Sequence, residues 1–272
     1  MTADTRSVPL PEGFSLSGRT ALVTGGGTHL GRAMAAALAA QGARVTVMAR
    51  TEKFLLDTVA QLGAGHDHIV ADLMDEATYD GLAASGRSFD IIVNNAGGDP
   101  WDGAWETQTT QHWLDTYHLN VVSANRLAQV LVPGMIEGGY GRIIIIASMY
   151  GIVAPNPKNR RPGLDCAAYT AAKHASVGLM RYLAAKLGSH GITVNAVSPG
   201  GFPLPDDDPY MEKMPWRKGG DSKLRTTMNE KYPLQRSGYP TDLGGAVAFL
   251  ASPAAAWVTG HNLVVDGGFT VW

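Results

Sequence analysis

One cysteine, Cys166, is all that this 272-residue sequence contains, which excludes an internal disulfide framework and suits a reducing compartment. No apolar run approaches the ~20 residues that a membrane-crossing helix needs. The stretch Met1-Thr2-Ala3-Asp4-Thr5-Arg6 has no apolar signal core either. Charge is sparse and balanced. Charged residues make up 17%, the formal net charge is −2 and the pI is near 6.4, so there is no basic field to hold nucleic acid or an anionic membrane. No Pro/Ser-rich linker, charge block, repeat or low-complexity segment divides the chain. Metal-ligand spacing is missing as well. His66-Asp67-His68 has no further ligands at a plausible distance and reads as strand-end polarity. These absences leave a cytoplasmic protein with a polar arm over residues 1–16 and one domain over 17–272. Its partner is a small molecule rather than nucleic acid or membrane.

What is present is glycine, 33 residues of it, beside 45% hydrophobic content. That mixture suits a buried sheet with tight strand–helix turns. Arg19–Thr24 is a short apolar run that breaks into Gly25-Gly26-Gly27-Thr28-His29-Leu30-Gly31, and a helical stretch Arg32–Gln41 follows. Strand, glycine turn and helix form the opening unit of a dinucleotide-binding fold. Further strands are read at Ala43–Ala49, Asp67–Ala71, Phe89–Val93, Arg142–Ala147, Ile192–Val197 and Asn262–Val265. Helices are read between them at Glu52–Leu62, Asp75–Ala84, Thr110–Met135, from Tyr169 through Leu187, and at Leu243–Leu250. The expected class is therefore α/β: a Rossmann-type, doubly wound, parallel seven-stranded sheet with helices on both faces and ligands at the carboxyl ends of the strands. Within the longest Ala/Leu-rich helix, Tyr169 and Lys173 stand four apart and share a face. A cation beside a phenol favours the phenolate, so the pair can pass a proton to or from an alcohol oxygen.

In order along the chain stand Thr24-Gly25-Gly26-Gly27-Thr28-His29-Leu30-Gly31, Asn94-Asn95-Ala96-Gly97, Ser148, Tyr169-x-x-x-Lys173 and Ser198-Pro199-Gly200. Together they resemble the classical short-chain dehydrogenase/reductase family from about Ser17 to Phe269. The resemblance implies hydride transfer between a nicotinamide cofactor and a secondary alcohol/ketone pair. Tyr169 would be the acid/base, Lys173 would hold the ribose and lower the phenol pKa, Ser148 would orient the carbonyl, and Asn120 would hold a water on the proton path. It also implies cofactor contacts from Gly25, Gly27, Thr28, His29, Leu30 and Gly31, from Asp72 and Leu73 at the adenine, from Asn95, Ala96 and Gly97, and from Pro199, Gly200 and Phe202. The second strand ends Val47-Met48-Ala49-Arg50. A carboxylate at Ala49 would bind the adenosine ribose and repel a 2′-phosphate; its absence, with the Arg50 guanidinium next, favours NADP(H) over NAD(H). Family members usually form tetramers, so a homotetramer is expected, with a homodimer as the simpler assembly.

Some residues depart from the family pattern. His29 replaces the middle glycine of the cofactor turn, so either the loop is displaced, or the imidazole contacts a phosphate, or the side chain points to solvent. Ser148 and Tyr169 are further apart than usual. The added Pro155-Asn156-Pro157-Lys158-Asn159-Arg160-Arg161-Pro162, within an active-site loop over 155–166, is expected to cover the site with its cations. A substrate lid is expected over 201–240, where Leu204 takes the place of the customary threonine and Pro205-Asp206-Asp207-Asp208-Pro209 and Trp216 follow. Trp101 and Trp105 are candidates for a pocket wall, and Cys166 for a reactive thiol. NAD-dependent oxidation of a polyol or sugar acid is the rival enzymatic reading. A catalytically silent dinucleotide-binding regulator is the other.

Overall fold

The computed structural model describes residues 13–99, 104–156, 165–203 and 229–272. The strands are β1 (Thr20–Thr24), β2 (Arg44–Ala49), β3 (Asp67–Val70), β4 (Ile91–Asn94), β5 (Gly141–Ile146), β6 (Ile192–Pro199) and β7 (Asn262–Val265). They form one seven-stranded sheet in the order β3-β2-β1-β4-β5-β6-β7. Every pairing is parallel. The order reverses between β1 and β4, which opens a crevice at their carboxyl ends.

The helices are α1 (His29–Ala40), α2 (Glu52–Leu62), α3 (Glu76–Ala84), α4 (Thr110–Tyr117), α5 (Ser123–Gly138), α6 (Ala167–Leu187) and α7 (Pro240–Ala251). Side chains alternate across each strand, so the sheet feeds two cores. Ala21, Val23, Val45, Val47, Ile144 and Ile146 face Met34, Leu38, Leu55, Leu243 and Val247 from α1, α2 and α7. Leu22, Ile92, Ile143, Ile145 and Val194 face Tyr79, Leu127, Leu131, Val177 and Met180 from α3, α5 and α6. All six residues of β5 are buried, which is why this strand reads as an unbroken isoleucine run rather than an alternating one. α7 starts earlier than its apolar pattern suggests. Pro240 occupies the first turn, and the Asp242 carboxylate accepts the Tyr239 N–H at 2.9 Å.

At the end of the arm expected over 1–16, Leu16 is fully buried and the Phe14 ring lies 6.2 Å from that of Phe249. One element differs from the sequence reading. The single helix expected over Thr110–Met135 is three pieces: α4, a π-helical segment His118–Val122, and α5. The wider turn places Asn120 inward, where its side chain reaches the neighbouring loop; such local widening is common at functional sites.

Candidate active site

The crevice is floored by the turn between β1 and α1. A Cβ added at Gly31 would collide with the Gly25 carbonyl oxygen, so α1 can begin this close to the turn only with glycine there. Arg32 pins the turn from outside. Its Nη2 donates to the Gly27 carbonyl at 2.7 Å and its Nε to Thr58 Oγ1 at 3.1 Å. Thr24 Oγ1 accepts the N–H groups of Asn95 and Ala96, while Asn95 Nδ2 donates to the Thr24 and Gly25 carbonyls, stitching β1 to the end of β4. The product is a glycine-rich cradle at a helix N-terminus, which suits a pyrophosphate. His29 opens α1 at φ 45°, in the left-handed region, and its Nε2 is buried. The family glycine replaced by His29 therefore stands where the backbone itself favours glycine.

The chemistry converges from β4, β5, the π segment and α6. Ser148 follows β5 and caps the short 3-10 turn Met149–Gly151, with its Oγ accepting the Tyr150 N–H at 3.1 Å. The Ser148 hydroxyl also hydrogen-bonds the phenol oxygen of Tyr169, which rises from the first turn of α6. One turn on, Lys173 is 4% exposed and donates from Nζ to the Ile146 carbonyl at 2.9 Å. Asn120 reaches both groups of Gly98: Nδ2 donates to the carbonyl at 2.8 Å and Oδ1 accepts the N–H at 3.1 Å. Between them lies Gly97, where a Cβ would stand 2.7 Å from Asn120 Oδ1 and 3.1 Å from Lys173 Nζ. A side chain at Gly97 would crowd both groups.

The electrostatics differ from the sequence expectation. Burial pushes the Tyr169 phenol up to about 12; the Ser148 hydrogen bond opposes this, and charge at Cys166, Asp99 and Tyr150 adds to it. Burial brings the Lys173 ammonium down to about 8. The lysine does not lower the phenol in the protein alone. Its Nζ lies 5.4 Å from the ring centroid and gives its hydrogen bond to a carbonyl. A cation buried against a phenol loses more to desolvation than the pair regains.

Comparison with known proteins decides what this constellation belongs to. A family model described as enoyl-(acyl carrier protein) reductase matches residues 27–270. The 2-dehydro-3-deoxy-D-gluconate 5-dehydrogenase of Bacillus subtilis is 35% identical, over 96% of this chain and 98% of its own. D-threitol dehydrogenase of Mycolicibacterium smegmatis is 32% identical, over 95% of each chain. Among solved structures, the gluconate 5-dehydrogenase of Burkholderia cenocepacia in complex with NADP and tartrate superposes with a TM-score of 0.82 at 30% identity, over 97% of this chain and all of that one. The chain is a classical short-chain dehydrogenase/reductase.

The other residues expected to hold the cofactor stand at the ends of β2, β3 and β6. β2 ends at Ala49 with no acid, and the Arg50 guanidinium, 72% exposed, lies 3.9 Å from an Asp72 carboxylate oxygen. Asp72 Oδ1 also accepts the Met74 N–H at 3.0 Å, and Leu73 is buried in the core beside it. Pro199 closes β6, and Gly200 follows with its N–H on the Val265 carbonyl at 2.9 Å. Phe202 lines a cavity of about 140 Å³ with Tyr232, Arg236 and Gly238, and its ring packs on Gly238. Pro157–Pro162 of the expected active-site loop, Trp101, and the lid residues 204–228 with Leu204 and Trp216 lie outside the described residues. Trp105 sits exposed in a 3-10 turn, its N–H held by Asp165 at 3.0 Å. Cys166 is buried, with Sγ 3.5 Å from Thr170 Oγ1, and is not an open thiol. His66 accepts the Val45 N–H and His68 faces Glu52, and no cluster suited to a metal occurs among the described residues.

Sequence reasoning missed Asp99 and His112. Asp99 sits directly after the Gly98 that Asn120 clamps, and its Oδ1 is 3.4 Å from Nε2 of the buried His112 on α4. Asp99 stands two residues beyond the Asn-Asn-Ala-Gly motif, which is a faint signal. Nothing in the pattern of α4 marks His112, since polar residues four apart, His112 and Thr116, read as an ordinary helix face.

Proposed function

We propose that the enzyme interconverts a ketone and a secondary alcohol with NADP(H), and that its substrates are polyhydroxylated. The observation that carries this is the convergence of Ser148, Tyr169 and Lys173 beside a glycine cradle, with β2 ending in Ala49-Arg50 rather than in an acid. A nicotinamide cofactor held in this crevice would supply the hydride acceptor on oxidation and the hydride donor on reduction. Tyr169 takes the hydroxyl proton on oxidation and supplies it on reduction. Ser148 holds the substrate oxygen with its hydroxyl, whose oxygen also accepts the Tyr150 N–H. Lys173, held by the Ile146 carbonyl, would hold the ribose hydroxyls of the cofactor, and Asn120 keeps the Gly97–Gly98 wall in place. Relatives that act on sugar acids and on tetritols support polyhydroxylated substrates, and NADP in a structural relative supports the cofactor.

The assembly we propose is a homotetramer, in keeping with apolar surface at Trp113, Leu114 and Tyr117 on α4 and at Val264, Val271 and Trp272 near the β7 edge. We place the enzyme in the cytoplasm; no helix among the described residues is long and apolar enough to cross a membrane. A screen of polyols, sugar acids and simple ketones with NADP(H) and NAD(H), followed by nicotinamide absorbance, tests the reading. Turnover with NADPH above NADH supports it. Cofactor binding without turnover of any alcohol or ketone returns the protein to the silent-regulator reading.

A further inference from the structure

Catalysis by Ser148, Tyr169 and Lys173 leaves one buried polar group unused. Tyr232 is 2% exposed, and its hydroxyl finds no acceptor for its proton among the described residues. The ring is firmly seated. It lies 5.5 Å from that of Phe269, and the chain on either side is tied to the carboxyl-terminal segment. The Leu234 N–H donates to the Gly267 carbonyl at 3.2 Å, and Trp272 Nε1 donates to the Lys231 carbonyl at 3.1 Å. The root of the Tyr232 side chain stands beside Gly267, just past β7, while a Cβ added at Gly201, just past β6, would run into the hydroxyl. The phenol therefore points along the carboxyl edge of the sheet from β7 towards β6. Next in that order is β5, which Ser148 follows.

Tyr232, Gly200, Gly201 and Phe202 line the cavity of about 140 Å³. The charged side chains around it are already engaged. Arg236 holds Asp242 at 2.6 Å, and the two Asp266 oxygens accept the N–H groups of Gly268 and Thr270. The Gly201 carbonyl accepts the Gly238 N–H at 2.9 Å, and the Gly201 N–H that faces the phenol is itself a donor. Burial pushes the phenol pKa up, so the hydroxyl keeps its proton and has it to give. A buried donor left unmade is costly, and a fixed one beside a cavity is accounted for by an oxygen that enters the cavity. A space of this size has room for about six heavy atoms, since a comparable cavity takes benzene.

We propose that this cavity is a subsite of the active site that receives the hydroxylated carbons next to the reacting carbinol, and that the Tyr232 hydroxyl donates a hydrogen bond to one of their oxygens. This rests on the oxidoreductase reading above and names the residue through which the enzyme chooses polyhydroxylated substrates over simple alcohols. A chain without oxygens leaves the buried donor unmade, so it forgoes the bond and keeps the penalty.

The test compares Tyr232→Phe with the parent, using NADP⁺ and D-threitol, galactitol and D-gluconate, with 2-butanol and cyclohexanol as alcohols that lack neighbouring hydroxyls. The parent should favour at least one polyhydroxylated substrate over both simple alcohols in kcat/KM by about tenfold or more. In the variant, KM for that substrate should rise by about three- to tenfold with little change in kcat, which is what a neutral hydrogen bond made equally in ground and transition states is worth. Its advantage over the simple alcohols should shrink by the same factor. Urea unfolding should find the variant at least as stable as the parent, because phenylalanine removes a hydroxyl that the free protein leaves without an acceptor. A less stable variant, or one that loses all alcohols in equal proportion, gives the hydroxyl a structural role and overturns the proposal. NADPH affinity, read by fluorescence, that falls with the hydroxyl assigns the phenol to the cofactor and overturns it too. A parent that prefers the simple alcohols, or a variant with unchanged KM and ratios, sinks the Tyr232 subsite alone. No turnover of any alcohol by the parent sinks the oxidoreductase reading, and the subsite with it.

Discussion

Replacing Lys173 with methionine should make the cofactor-free protein more stable at pH 7 while abolishing turnover. Lys173 is 4% exposed, and burial brings its ammonium from 10.5 to about 8. Between those values the unfolded chain holds a proton that the folded chain has lost, so stability rises with pH across that window. Below pH 8 both states are charged and the burial cost is at its full value, about 3 kcal/mol for that separation. The bond from Nζ to the Ile146 carbonyl, 2.9 Å long, returns part of it, and methionine leaves that carbonyl without its donor at a cost of about 1–2 kcal/mol. The difference predicts that Lys173→Met gains roughly 1–2 kcal/mol at pH 7. The gain should shrink through pH 8–10 and reverse above 10.5, where the parent buries a neutral amine with its hydrogen bond intact. Urea unfolding of parent and variant at pH 7, 9 and 10.5 reads this directly, because all other lysines cancel in the comparison. A variant less stable than the parent at pH 7, or a difference that does not change with pH, would show that Lys173 is not a buried, costly charge.

Tyr169→Phe keeps the ring and the packing and removes the proton donor, so turnover should fall by about 10²–10⁴ while NADPH affinity changes little; turnover within a factor of two of the parent rules out the acid/base role. His29→Gly relieves a left-handed backbone and should raise stability by about 1 kcal/mol. With Nε2 already buried, NADPH binding should tighten as well; weaker binding, together with loss of a pH dependence near 6–7 that the parent shows, would establish a phosphate contact instead. Arg50→Asp exchanges a guanidinium for a carboxylate at the end of β2 and should shift preference from NADP(H) towards NAD(H). A parent that already binds NADH more tightly than NADPH refutes the assignment of Arg50.

Much of the fold is written locally. The run Arg142 to Ala147 declares a strand buried on both faces, and Tyr169 and Lys173 declare one helix face by spacing alone, because strand and helix periods are properties of the backbone. The glycine turn before α1 is legible for the same reason: a side chain at Gly31 has nowhere to go. Tertiary structure decided the rest. The π segment at His118–Val122 interrupts a helix whose sequence reads as continuous, and the reward for widening it is Asn120's pair of hydrogen bonds to Gly98, 22 residues away. Asp99 and His112 meet only because the chain after β4 comes back against α4, so neither position announces the other. The Tyr169–Lys173 pair shows the division most clearly. Spacing brings the two groups together and suggests a lowered phenol, yet desolvation by the surrounding core raises the phenol and lowers the amine. Which residues share a face follows from chain geometry, whereas the charge they carry there depends on how much water the rest of the fold removes.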